Sequence, residues 1–228
     1  MWVRFAELQE GRPGGFRIAA LIRPADPAHG EDETAWVARA REAAARGPLG
    51  HHTHWTAPDH ARPTGGDPGA RVLEEGRKLR ELGLRPTLFC GGGWYADLGV
   101  AEACAELGYV DCTATAYRPS YLPLGAPRFA LATPGRIVLP SGGRLLELPS
   151  THSLGMLARE VLAPSRLQAD VVHVHFHDTD LVDARRRSAL VWSLRALARR
   201  RATTDLDALV ERLAENVPEV PFEQVAAN

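Results

Sequence analysis

Between Phe16 and Cys112 the sequence switches repeatedly between short apolar runs and longer stretches with helical spacing. Phe16 to Ile22, Leu49 to Trp55, Arg85 to Cys90 and Tyr109 to Cys112 read as strands. Between them, Asp32 to Arg46, Ala70 to Leu82 and Leu98 to Leu107 place apolar residues on one helical face. Gly47-Pro48, Gly83 and Gly108 stop these three helices. Strand–helix alternation of this kind implies a mainly parallel α/β sheet, because a parallel neighbour is reached through a crossover. From Thr113 to Leu148 the pattern breaks into Pro, Gly and short β-type pieces, which predicts a β insertion at about 113–150. Further helices are expected near 2–10, Ser153 to Leu162, Asp183 to Arg201 and Asp205 to Glu215. At 228 residues the chain is read as a single domain spanning 1–228, long enough to bury a full core.

The formal net charge of −1 offers no attraction to nucleic acid or to an anionic membrane surface. Cys90, Cys104 and Cys112 lack C-x-x-C spacing, so neither a disulfide framework nor a thiolate zinc site is expected. No segment is long and apolar enough to span a bilayer. The first residues carry no basic stretch followed by an apolar run, so the expected compartment is the cytoplasm.

Seven of the nine histidines fall in or beside two segments. One is His51-His52-Thr53-His54-Trp55, with His60 shortly after. The other is Val171-Val172-His173-Val174-His175-Phe176-His177-Asp178-Thr179-Asp180. Successive side chains of a strand point to opposite faces. Val172, Val174 and Phe176 therefore share one face, and His173, His175 and His177 share the other. By the same alternation His51 should point away from His52 and His54. In parallel α/β folds the chemistry gathers at the C-terminal strand ends. His52 to His54, Cys90 with its glycines, Asp111 and His177-Asp178 all fall at such ends. Imidazole and carboxylate concentrated there suggest a metal-dependent or acid–base hydrolytic site.

These segments resemble the polysaccharide deacetylase family of metal-dependent carbohydrate esterases. Gly50-His51-His52-Thr53-His54 is similar to the family's Gly-x-His-Thr/Ser strand end. Phe89-Cys90-Gly91-Gly92-Gly93-Trp94-Tyr95, followed by Glu106-Leu107-Gly108-Tyr109-Val110-Asp111, is similar in layout to its Arg-Pro-Pro-x-Gly turn and "LGY-x-D" segment, with Cys90 where the family has arginine. His175-Phe176-His177-Asp178 is similar to the late "L-x-H-D" segment. The resemblance covers about residues 47–200 and implies an irregular (β/α) barrel. It implies a divalent ion, zinc, at His52 and His54, with His60 a weaker ligand candidate. It also implies a catalytic set of His177, Asp178 and His175. Trp55, Trp94, Tyr95 and His152 are the candidate substrate-binding side chains. The family's first-strand Asp pair has no counterpart here. Asp26, Asp178 or Asp180 could supply the acid, or a strand could precede Met1, leaving a barrel position open beside Phe16.

The expected reaction is hydrolysis of an acyl–amide bond on an amino sugar, an oligosaccharide or a related small molecule. Zinc would provide hydroxide at neutral pH, His177 would protonate the leaving amine, and backbone N–H groups of the glycine turn would hold the oxyanion. Two alternatives stand beside it: a metal-dependent phosphoesterase, and a non-catalytic carbohydrate-binding homologue.

Overall fold

The computed structural model describes residues 1–55, 61–119, 128–163, 169–213 and 216–226. His60 lies outside the described residues. The chain opens with helix α1 (Trp2–Gly11), and three strand–helix units and a fourth strand follow. They comprise β1 (Ala20–Ile22), α2 (Glu33–Arg46), β2 (Leu49–His51), α3 (Pro68–Glu81), β3 (Leu88–Phe89), α4 (Leu98–Glu106) and β4 (Val110–Asp111). Asp32, Asp67 and Asp97 each accept a backbone N–H at the start of α2, α3 and α4. These N-caps satisfy donors that the helix itself cannot.

The hairpin β5 (Gly135–Val138) and β6 (Arg144–Glu147) comes next, then β7 (His152–Ser153), α5 (Leu154–Glu160) and β8 (Val174–His175). The chain finishes with α6 (Ala184–Ala198), α7 (Leu206–Leu213), β9 (Glu219–Pro221) and α8 (Phe222–Val225). The helices match the periodicity closely, whereas the strands are shorter than the apolar runs that contain them. Seven strands form one sheet in the order β1-β2-β3-β4-β6-β5-β9. All its neighbours are parallel except the β5–β6 hairpin.

Beyond β6 the chain leaves the hairpin and continues the wall. The Leu148 N–H donates to Asp111 O and the Ser150 N–H to Ala114 O. Thr151 and His152 then donate backbone N–H groups to His173 O, and β7 pairs β8 in parallel. The wall thus runs β1, β2, β3, β4, residues 148–153, β8. Among the described residues β1 pairs only with β2, so a closed barrel is not formed by strand pairing. The interval between β8 and β1 is packed by an apolar cluster that includes Phe16, Ile18, Leu157, Val174, Phe176, Leu181 and Leu190.

Strand register sorts the side chains by face. Ile22, His51, Phe89, Asp111 and Glu147 form one row across the sheet. That row faces α3 and α4, where Val72, Val100, Cys104 and Leu107 build the main core around Phe89 and Tyr109. The next residue of each strand, His52, Cys90, Cys112 and Leu148, takes the inner face. Helix α7 lays Leu206, Leu209, Val210 and Leu213 against Cys90, Trp94, Cys112 and Leu148. Asp205 pairs with Arg17 at 2.5 Å, and the Thr87 hydroxyl donates to Asp207 at 2.9 Å. Arg17 and Thr87 precede β1 and β3, so α7 forms the floor at the N-terminal ends of the strands. No helix among the described residues is long and apolar enough to cross a membrane.

Candidate functional site

At the opposite, C-terminal ends of the strands, the inner face collects imidazoles. His52 Nδ1–H donates to Cys90 O at 2.7 Å, which leaves its Nε2 lone pair unprotonated. His54 packs edge-on to it, with ring centroids 4.9 Å apart. Burial, then the charge of His54, pulls the His52 pKa down to about 4, and His177 adds to the effect. The alternation read on β8 holds. Val172, Val174 and Phe176 pack into the outer apolar cluster. His173 and His175 turn inward, and His173 Nδ1–H donates to Leu148 O at 3.1 Å. That bond makes His173 part of the wall.

His175 is held between aromatic rings. Trp94 meets it edge-on with centroids 4.4 Å apart, and the Tyr117 ring lies within 7° of parallel to it. The Tyr117 hydroxyl is 3.2 Å from Nδ1 and 3.4 Å from Nε2. A hydroxyl nearly equidistant from both nitrogens, on a parallel ring, sits over the imidazole face rather than along a lone pair. Burial, then the charges of His177 and His173, depresses the His175 pKa to about 3. His175 is therefore neutral at any ordinary pH. His177 is exposed at the mouth, its ring centroid 6.1 Å from that of His175.

The triple glycine turn locks the two halves together. The Gly92 N–H donates to Thr53 O at 3.1 Å, and a Cβ on Gly92 would come within 2.6 Å of that oxygen. Gly93 and Trp94 follow with φ of 59° and 60°. Left-handed backbone is rare for a non-glycine residue and costs on the order of 1 kcal/mol or more. Here it swings the Trp94 ring onto His175.

Several expected site residues lie elsewhere. Trp55 is buried in the main core, with its indole N–H on Gly92 O, and Tyr95 packs against it. The Tyr95 hydroxyl donates to Asp97, and burial raises its pKa to about 12. Trp94 is 6% exposed, so it backs His175 and offers no face to a sugar. His152 pairs in register with Val174 and thus shares the outer side, where Nε2 bonds Glu160 at 2.8 Å. Asp178 is exposed beside His177, whereas Asp26 caps a loop and pairs with His29. Most N–H groups of the glycine turn are already committed and cannot hold an oxyanion. The N–H groups of Gly91, Gly92, Trp94 and Tyr95 are engaged by Thr113 Oγ1, Thr53 O, Gly91 O and Gly92 O. Tyr117 was not legible as a site residue, because it falls in the irregular stretch after β4.

The donor set decides how zinc would fit. Zinc in catalytic sites takes three protein ligands and a water. His52 and His54 supply two, and no group of three or more His, Cys, Asp or Glu side chains suited to a metal occurs among the described residues. Those residues therefore do not complete a zinc site.

The fold and this site define a class: an α/β wall of mainly parallel strands with histidines at the C-terminal ends of β2 and β8. A crystal structure from Mycobacterium smegmatis, provisionally assigned as a polysaccharide deacetylase, has the same fold. It superposes with a TM-score of 0.63 over 96% of this chain and 78% of that one, at 13% identity. A 4-alpha-glucanotransferase from Thermococcus litoralis gives a TM-score of 0.50, also at 13% identity. That match covers 97% of this chain and a third (33%) of the larger protein. No family model and no curated protein matches the sequence. At this identity the likeness establishes the fold alone.

Proposed function

We propose that this chain is a hydrolase of the deacetylase type, cleaving an acyl–amide bond on an amino sugar or a related small molecule. The observation that carries the reading is the His52–His54 pair lying close enough to the His175–His177 pair for the His177 charge to act on His52. Amide hydrolysis needs a proton acceptor for the attacking water, a donor to the carbonyl oxygen and an acid for the departing amine. His52 keeps its Nε2 lone pair because Nδ1–H is held by Cys90 O. His175, neutral, supplies an in-plane N–H to the carbonyl oxygen. His177, exposed at the mouth, gives a proton to the nitrogen as the C–N bond breaks. Water's oxygen ends on the acyl carbon, and the amine leaves neutral.

The proposed compartment remains the cytoplasm, and the proposed partner is a small-molecule or oligosaccharide substrate. Incubation with N-acetylated amino-sugar oligomers should release free amine. His177→Ala should lower kcat about a hundredfold or more, the range for loss of a general acid. Release unchanged in that variant would refute the assignment.

A second reading is favoured by the incomplete ligand set: the same fold binding carbohydrate without turnover. Binding of the oligomer with no amine released, with or without added zinc, would establish it. Zinc itself provides a separate check. Two imidazoles should bind it weakly, so a chelated and dialysed sample should not recover one tightly held equivalent on titration. Tight stoichiometric binding, abolished in the His52→Ala/His54→Ala double variant, would show that a further ligand joins them.

A further inference from the structure

His177 stands on an exposed turn, and such a position gives an imidazole no fixed direction unless its backbone is held. The turn Asp178–Leu181 supplies that hold. The His177 N–H donates to Asp180 Oδ2 at 3.0 Å, and the Asp180 N–H donates back to His177 O at 3.0 Å. The other carboxylate oxygen, Oδ1, accepts from Arg186 on α6 at 2.8 Å. Asp183 in turn caps α6 by accepting the Arg185 and Arg186 N–H groups at 2.7 and 3.0 Å. Leu181 is fully buried, and the Arg187 guanidinium donates to its carbonyl. The Asp180 side chain is only 15% exposed, although its neighbours His177 and Asp178 face solvent. Two reciprocal bonds close the turn, and Arg186 ties it to the longest helix.

We infer that Asp180 is a positioning residue that fixes the His177 backbone, and with it the direction of the imidazole, at the mouth of the site. The effect on turnover rests on the hydrolase reading; the effect on the His177 backbone does not. Asp180→Ala removes both carboxylate bonds, whereas Asp180→Asn keeps an oxygen to accept the His177 N–H and loses the charge and the acceptor for Arg186. In native-state hydrogen exchange, the His177 amide should be protected in the wild type and in Asp180→Asn, and should exchange at least tenfold faster in Asp180→Ala. The far amides of β2 and β3 should be unaltered, which separates the effect from global unfolding. In turnover of an N-acetylated amino sugar, Asp180→Ala should lower kcat about tenfold with KM within twofold, and Asp180→Asn should restore most of it. If Asp180→Ala leaves both the His177 amide and kcat unchanged, the inference is overturned. If no form of the protein releases amine while the His177 amide responds as stated, the hydrolase reading falls and the positioning role stands.

Discussion

Asp111 and Glu147 are paired neighbours on β4 and β6, both fully buried, and Asp111 Oδ2 and Glu147 Oε2 have no donor among the described residues. Asp111 Oδ1 accepts from the Thr113 N–H at 2.9 Å and from its hydroxyl, and Glu147 Oε1 accepts from the Ala114 N–H at 2.8 Å. The nearby titratable groups are the thiols of Cys90, Cys104 and Cys112, themselves pushed up by burial and by these two acids. Among the described residues no cation offsets the pair, so burial raises both carboxyls above the ordinary range, Glu147 the more strongly. The native state then keeps a proton that the unfolded chain releases above about pH 4. This contribution to stability is complete below that pH and declines as pH rises toward the native value. Glu147→Gln keeps the shape and has no proton to lose. Between pH 5 and 8 the wild type should lose stability relative to this variant, by up to about 1.4 kcal/mol per pH unit for one proton. Urea midpoints at three pH values test this, and parallel profiles would show that no proton is retained. The sequence marked Asp111 as polar at a strand end but could not assign its face. One position decides the matter: Cys112 points inward, while Asp111 joins the Phe89 row.

The histidine segment carried its own answer for β8, because alternation needs no knowledge of the neighbouring strand. Imidazoles and apolar residues separated onto two faces as the period of two requires. His152 did not, since its direction depends on register with β8, which pairs it with Val174 and not with His175. Pairing choice is nonlocal and leaves little trace in a two-residue strand. The outcome is a structural bridge: His152 Nδ1 meets the Thr151 hydroxyl at 2.8 Å, and Nε2 meets Glu160 on α5 at 2.8 Å. His152→Ala leaves a largely buried carboxylate and hydroxyl without this partner. It should destabilise the protein by about 1–3 kcal/mol. The expected reading is a lower urea midpoint with an unchanged slope; a midpoint equal to the wild type's would show that the bridge contributes nothing. The same nonlocality hid Tyr117 and β9, which lie in or beside irregular chain and gain meaning only from the element they meet.

At the scale of the whole molecule, the curvature of the wall brings the ends of β2 and β8 together across residues 148–153, so that His52 and His177 sense each other. The order of strands and helices was legible because each unit has its own period and its own stop. Closure was not, because it depends on what lies beside the first strand. In β1, the Ala20 N–H donates to Pro48 O and Ile22 O accepts from the His52 N–H. Alternation then turns the Leu21 N–H and C=O away from β2, toward the edge that has no strand partner among the described residues. The Leu21 side chain is 41% exposed as well. An edge with an apolar side chain and free backbone groups is a template for another strand. The edge is short, and Arg17 and Arg23 flank it, so association should be weak. Light scattering across a concentration series should show growing assembly in the wild type. Leu21→Lys should reduce it by placing a charge on the edge while leaving β2 pairing intact. Equal scattering from both proteins would mean that the edge is covered, and that the apolar packing between β8 and β1 seals the wall without a strand.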